Sequence, residues 1–154
     1  MGQTPLRRTP LMEEELQRIA SLFEAEHYVW NPHTKVWEIE ETVRAFGFEG
    51  MGSVKKEDLR KCWRPAFTLS SKDEELLKRL RTRTGIGSVA GPYISRLGVR
   101  DEWTWRAGVS LFAGDALRER ILQLFRQILP YVSSKRKRIQ DILDACSPQD
   151  RAEP

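Results

Sequence analysis

Two stretches of this chain alternate so regularly that they limit what it can fold into. Between Glu102 and Val109, Trp103, Trp105, Ala107 and Val109 fall on one side, with Glu102, Thr104 and Arg106 on the other. Between Arg64 and Ser70, the residues Pro65, Phe67 and Leu69 oppose Arg64, Thr68 and Ser70. A period of two with one apolar and one polar side marks a strand that a core covers on one face. Ser71-Lys72-Asp73-Glu74 reads as a capping box, opening a helix with the stripe Leu76, Leu77 and Leu80 that Gly85 closes. Another strand is expected near Ile86–Ile94. Upstream, His27–Trp30 and Lys35–Ile39 read as extended segments around an Asn31-Pro32 turn.

Helices account for most of the remainder. Thr9 and Pro10 suit the cap and first position of a helix, Glu13 to Glu15 complement its dipole, and Met12, Leu16, Ile19 and Phe23 recur on one face. A later helix runs from about Gly114 to Leu129 on Leu117, Ile121, Leu124, Phe125 and Ile128, and Pro130 stops it. The last begins near Ser134 and uses Ile139, Ile142 and Leu143. Between 41 and 61 the chain is punctuated by Gly47, Gly50 and Gly52, which are assigned to turns, with a short helix from Ser53 to Arg60. The order α-β-β-α-β-β-α-α predicts an α/β chain of the α+β kind. Its four-stranded antiparallel sheet is covered by helices on one face, and the polar face is left for a partner. The expected organisation is an N-terminal tail over 1–8, one domain over 9–146 with an insertion at about 40–61, and a C-terminal tail over 147–154.

At 154 residues and 40% hydrophobic content, the chain can bury a core and is too apolar for intrinsic disorder. No window approaches the roughly 18 apolar residues of a membrane span, and no apolar stretch follows Arg7 and Arg8 as in a secretory signal. Leu6 stands where N-myristoylation wants Ser or Thr. Cys62 and Cys146 lack metal-ligand spacing, so a reducing intracellular compartment is expected. The net charge is only +4, but it is unevenly spread. Residues 1–30 carry a net −2, and residues 118–138 a net +6. Lys55, Lys56, Arg60, Lys61 and Arg64 form a second basic cluster, Lys78, Arg79, Arg81 and Arg83 a third, and Trp30, Trp37, Trp63, Trp103 and Trp105 lie close to these in sequence. Basic charge interleaved with aromatics is one footprint of nucleic-acid binding; solvated faces over buried tryptophans are the plain alternative. Two residues fit poorly with simple packing. Glu26 continues the apolar stripe of the first helix, and Lys135, Arg136, Lys137 and Arg138 crowd the positive end of the last helix, where an anion such as phosphate would compensate.

Three blocks of the chain together resemble the LAGLIDADG homing endonucleases. The nonapeptide Ile19-Ala20-Ser21-Leu22-Phe23-Glu24-Ala25-Glu26-His27 is similar to the family's motif. Phe67 to Leu77, running on to Gly85-Ile86-Gly87-Ser88-Val89, resembles its strand–helix–strand passage. Ile128 to Lys137 is similar to its proline-turn-basic segment.

The resemblance implies an αββαββα fold, and one motif copy implies a homodimer with Leu16, Ile19, Ala20 and Phe23 at the seam. It further implies hydrolysis of double-stranded DNA with divalent metal, Mg²⁺ or Mn²⁺. Glu26 and the carbonyl of Ala25 would hold the metal, Lys135 would approach the scissile phosphate, and Ser71 would take the water-positioning place. Arg64, Thr68, Ser70, Thr104 and Arg106 would read bases, with Arg136, Lys137 and Arg138 on phosphates. Expected settings are a bacterial, archaeal or phage-host cytoplasm or an organelle, with an intron-borne reading frame. His27 stands where the family usually has Gly, and Ser71 where Gln or Asn is frequent. The same resemblance therefore also admits a fold without cleavage, binding intron RNA or regulating at DNA. His27 itself reads as a helix-end structural residue or a substitute metal ligand. A helical interaction module is the third reading, and the alternating strands speak against it.

Overall fold

A computed structural model describes residues 10–46, 64–108 and 115–146. Helix α1 spans Glu13–Glu24, followed by strands β1 (His27–Asn31), β2 (Val36–Glu40), β3 (Val43–Phe46) and β4 (Arg64–Ser71). Helix α2 (Glu74–Thr84), β5 (Ser88–Ile94), β6 (Arg100–Ala107), α3 (Asp115–Ile128), a short 3₁₀ turn (Leu129–Tyr131) and α4 (Arg136–Cys146) complete the order. The protein is α+β, with antiparallel pairing throughout.

The four-stranded sheet has the order β3-β4-β6-β5. Its fourth strand is therefore β3, from a stretch expected to be turns, while among the described residues β1 and β2 pair only with each other, as a separate hairpin. The physical reason is coverage. Helices α1 and α3 pack on β4, α4 on β3 and β4, and α2 on β5 and β6, while the hairpin lies on the other side of β4. Phe67 and Leu69 point into the helical side, where Phe67 meets Phe23 and Trp105 edge-on, with centroids 5.4 and 5.0 Å apart, and Phe125 at a tilt, 6.4 Å away. The Trp105 indole donates to the Ile86 carbonyl at 2.8 Å. Alternation in β6 is as expected, with Trp105 and Ala107 buried on the helical side.

Element starts shift where a side chain supplies the cap. Helix α1 begins after Met12, three residues beyond Pro10, because the Glu15 carboxylate accepts the Met12 N–H at 2.8 Å and satisfies an orphan donor; Thr9 lies outside the described residues. Helix α2 is capped by Asp73, which accepts from Leu76 N–H, while Ser71 Oγ accepts from Asp73 N–H. It ends at Gly85 in the left-handed region (φ 68°), as expected. Gly87 is also left-handed (φ 75°), and the Arg106 carbonyl lies against its Cα, so no larger residue fits there. The short helix over Ser53–Arg60, Trp63 and the 55–61 basic cluster lie outside the described residues.

Candidate nucleic-acid interface

The outer face of the sheet starts from register. Thr68 pairs with Arg106 and Ser70 with Thr104, so these polar residues share the side away from the helices. The hairpin is laid over part of this face. Residues His27 to Asn31 pair with Val36 to Glu40 around a turn in which Asn31 Oδ1 accepts the His33 and Thr34 N–H groups. This pairing sets His27 opposite Glu40 and Trp30 opposite Trp37.

A polar circuit ties the hairpin down. Ser70 Oγ bonds His27 Nδ1, His27 Nε2 lies 3.1 Å from Glu40 Oε1, and Glu40 Oε2 takes Arg44 at 3.2 Å. Arg44 in turn donates to Thr68 Oγ1 at 3.1 Å. Burial pushes the His27 pKa below its ordinary value; Glu40 opposes this, and the cations Arg106 and Arg44 reinforce it. The circuit has the order of a Ser–His–acid relay, but Ser70 does not line the adjoining groove, so its hydroxyl acts as an anchor.

That groove, about 360 Å³, runs between the hairpin and β5–β6. His27, Tyr28, Val29, Trp30 and Trp37 form one wall, and Tyr93, Ile94, Arg100, Glu102, Thr104 and Arg106 the other. Burial, then Asp101, raises the Glu102 pKa, and Lys72 counters them. Sequence reasoning did not assemble this groove. Its signal was present in the hairpin, since a turn at Asn31-Pro32 already faces Trp30 toward Trp37.

The expected site residues are distributed as follows. Arg106 is exposed on the outer face, Ser70 is half-buried in the circuit, and Thr68 and Thr104 are buried at 1% and 3% exposure. Arg64 opens β4 opposite Phe46. Glu26 is exposed just past α1 and accepts the Tyr28 hydroxyl at 2.5 Å; Arg96 stacks on the same Tyr28 ring at 3.8 Å. Ala25 is the exposed C-cap. Ser71 neighbours Ser70, which meets His27, and Lys135 neighbours Ser134, which meets Glu24, so both approach the C-terminal end of α1. Among the described residues, no hydrogen bond or ion pair joins Glu26, Ser71 and Lys135. Ile19, Ala20 and Phe23 lie in the chain's own core, with Leu16 packed at its margin. The side chains expected at a dimer seam are thus largely used within one protomer.

The crowded start of α4 has an internal anion. Glu24 accepts from the backbone N–H groups of Ser133 and Ser134 and from the Ser134 hydroxyl. Burial raises its pKa, but the bonds from Ser134, Ser133 and Lys135 outweigh that and hold it below the ordinary carboxylate value. Arg136 donates to Val132 and Pro130 carbonyls, Lys137 pairs with Asp141 at 3.2 Å, and Arg138 with Glu41 at 3.6 Å. Glu24 thus supplies an anion at this turn.

The metal implied by the sequence resemblance would be shared between two copies, each supplying one Glu26. Among the described residues, no three His, Cys, Asp or Glu side chains gather to hold an ion, and Glu26 stands alone with Tyr28.

No protein-family model and no curated protein matches the sequence. Two similar solved structures are an archaeal intron-encoded homing endonuclease complexed with DNA (I-Vdi141I) and the homing endonuclease I-CvuI in complex with its target in the presence of Ca. The first is 12% identical, with a TM-score of 0.48, over 86% of this chain and 66% of that one. The second is 13% identical, with a TM-score of 0.42, over 85% and 64%. The chain spans about two thirds of the length of these structures. At these values neither likeness assigns a function. Among the described residues, no helix is long and apolar enough to cross a membrane.

Proposed function

We propose that this chain binds nucleic acid, double-stranded DNA in the first place, on the outer face of its four-stranded sheet. The observation that carries the reading is the outward cation at Arg106, in a groove that also holds Arg100 and the aromatic side chains Trp30, Trp37 and Tyr93. Helices occupy the other face, so this is the side left for a long polyanion. Arg106 makes no hydrogen bond or ion pair among the described residues, and a phosphate would satisfy it without breaking an existing pair. Sequence-selective contacts in this reading come from the rim of the face, since Thr68 and Thr104 are covered. Titration of labelled duplex DNA against the purified chain at rising salt tests it; binding that does not weaken with salt sinks it.

The finer reading is a metal-dependent endonuclease of the homing type, intron-borne and acting as a homodimer. It is supported by the exposed Glu26 at the exit of a helix that matches the nonapeptide. One copy supplies one such carboxylate, so two copies are needed to bring a pair together, and divalent cation would then relieve their repulsion. Cutting of coding-locus DNA in Mg²⁺, lost in Glu26→Gln with binding retained, is the expected result. Binding without cutting in any divalent metal leaves the non-cleaving binder, of DNA or of intron RNA.

A further inference from the structure

We infer that the groove between the β1–β2 hairpin and β5–β6 holds an unpaired nucleotide, its base stacked on Trp30 and Tyr93 and its phosphates on Arg100 and Arg106. This inference rests on the nucleic-acid reading above and names which form of the polymer the groove accepts.

Three features of the fold build the groove. First, the hairpin register brings Trp30 and Trp37 together across strands, with centroids 5.6 Å apart and planes at 61°. Trp30 nonetheless remains 49% exposed. A large aromatic side chain left half in water, over a partner that fixes its rotamer, is a preformed stacking platform. Second, β5 carries an irregularity. Ala90 pairs with Thr104 but Tyr93 with Glu102, so β5 has one residue more than β6 between these pairs. An extra residue reverses the alternation beyond it. Tyr93, which regular pairing would turn to the helical side, thus lines the outer groove and is 44% exposed. Third, two guanidinium groups lie in the same lining. Arg100 donates to the Pro92 carbonyl at 3.1 Å, which steadies it, and Arg106, further along β6, lines the same groove without an ion-pair partner among the described residues.

The form of the ligand follows from access. In a continuous duplex the π-faces of the bases are covered by their neighbours, and only backbone and groove edges are offered. Thr68 and Thr104, the side chains that the register turns toward a bound duplex's groove edges, are buried. What the groove presents is aromatic surface and cations, a combination that suits a splayed base and its flanking phosphates. At about 360 Å³ it lies at the small end of ligand sites, the scale of one nucleotide.

The test uses the full chain and one short mixed-sequence DNA oligonucleotide, single-stranded and annealed to its complement, with tryptophan fluorescence and anisotropy as readouts. The single strand should quench tryptophan emission. Trp30→Ala should weaken the single strand by about tenfold more than it weakens the blunt duplex. Tyr93→Ala, at a second exposed position on the opposite wall, should act in the same direction. If both variants bind the single strand as the parent does, or lose both forms equally, the groove assignment fails while the DNA reading of the sheet stands. If neither form binds in a salt-sensitive way, the nucleic-acid reading fails with it.

Discussion

His27 shows how one side chain joins two parts of the fold. Its ring bridges Ser70 on the sheet and Glu40 on the hairpin, and it is nearly buried at 4% exposure. Its folded pKa lies below 6.5, through burial first and the cations Arg106 and Arg44 after it. Between the two values the unfolded chain binds more protons than the folded one, so stability rises with pH there. The contribution is complete above about pH 6.5 and is lost as pH falls toward the depressed folded value. Melting temperature should therefore drop on acidification through this window, and the drop should be absent in His27→Gln. A parent protein with a flat profile from neutral pH to the carboxylate range would overturn this. The role of His27 was only partly legible. A His at a helix exit reads as structural from sequence, but its partners stand 13 and 43 residues away, and hairpin register, not local spacing, brings them together.

At the scale of elements, the end of α1 and the start of α4 hold each other through one carboxylate. Glu24 is the sixth residue of the nonapeptide, and it caps the turn that precedes Lys135 to Arg138. The sequence showed cations at the wrong end of a dipole; it could not show which anion answers them, because Ser134 lies 110 residues away. Replacing Glu24 with Ala should cost about 1–2 kcal/mol, as lost N-terminal caps do, and increase hydrogen exchange across 136–140 first. An unchanged denaturant midpoint would refute the cap. The folded carboxyl is depressed, so its stabilisation holds above the ordinary carboxylate pKa and fades as pH falls through the lowered value. The other elements were legible to different degrees. Strands β4 and β6 announced both faces by alternation, and the hairpin by its Asn-Pro turn. Strand β3 did not: it is four residues long, and its backbone continues onto β4 through Thr42, whose carbonyl accepts the Thr68 N–H at 3.0 Å. A strand so short takes its identity from its neighbour.

Across the whole molecule, the excess of positive charge is smaller in effect than its count suggests, because many of the described cations already have a carboxylate. Arg83 forks onto Glu15 at 2.6 and 2.7 Å, which holds Glu15 at about 2 and ties α1 to α2. Lys72 pairs with Asp101, Lys78 with Glu74, Arg118 with Glu119 and Lys137 with Asp141. A cation that leaves a carboxylate for a phosphate exchanges one partner for another, and its net gain is small. Arg106 has no such partner among the described residues, whereas Lys137 and Arg138 at the start of α4 do. The two places should then differ in their effect on DNA affinity. Arg106→Gln should reduce the slope of log K against log salt by about one, as expected when one fewer phosphate is neutralised. Lys137→Gln should change it by clearly less, since Asp141 already neutralises that ammonium. Affinity for a duplex, measured at several salt concentrations for both variants, decides the matter. Equal slopes for the two, or a larger loss at Lys137, would move the binding surface from the sheet to the start of α4 and return the phosphate-tracking role to the basic cluster there.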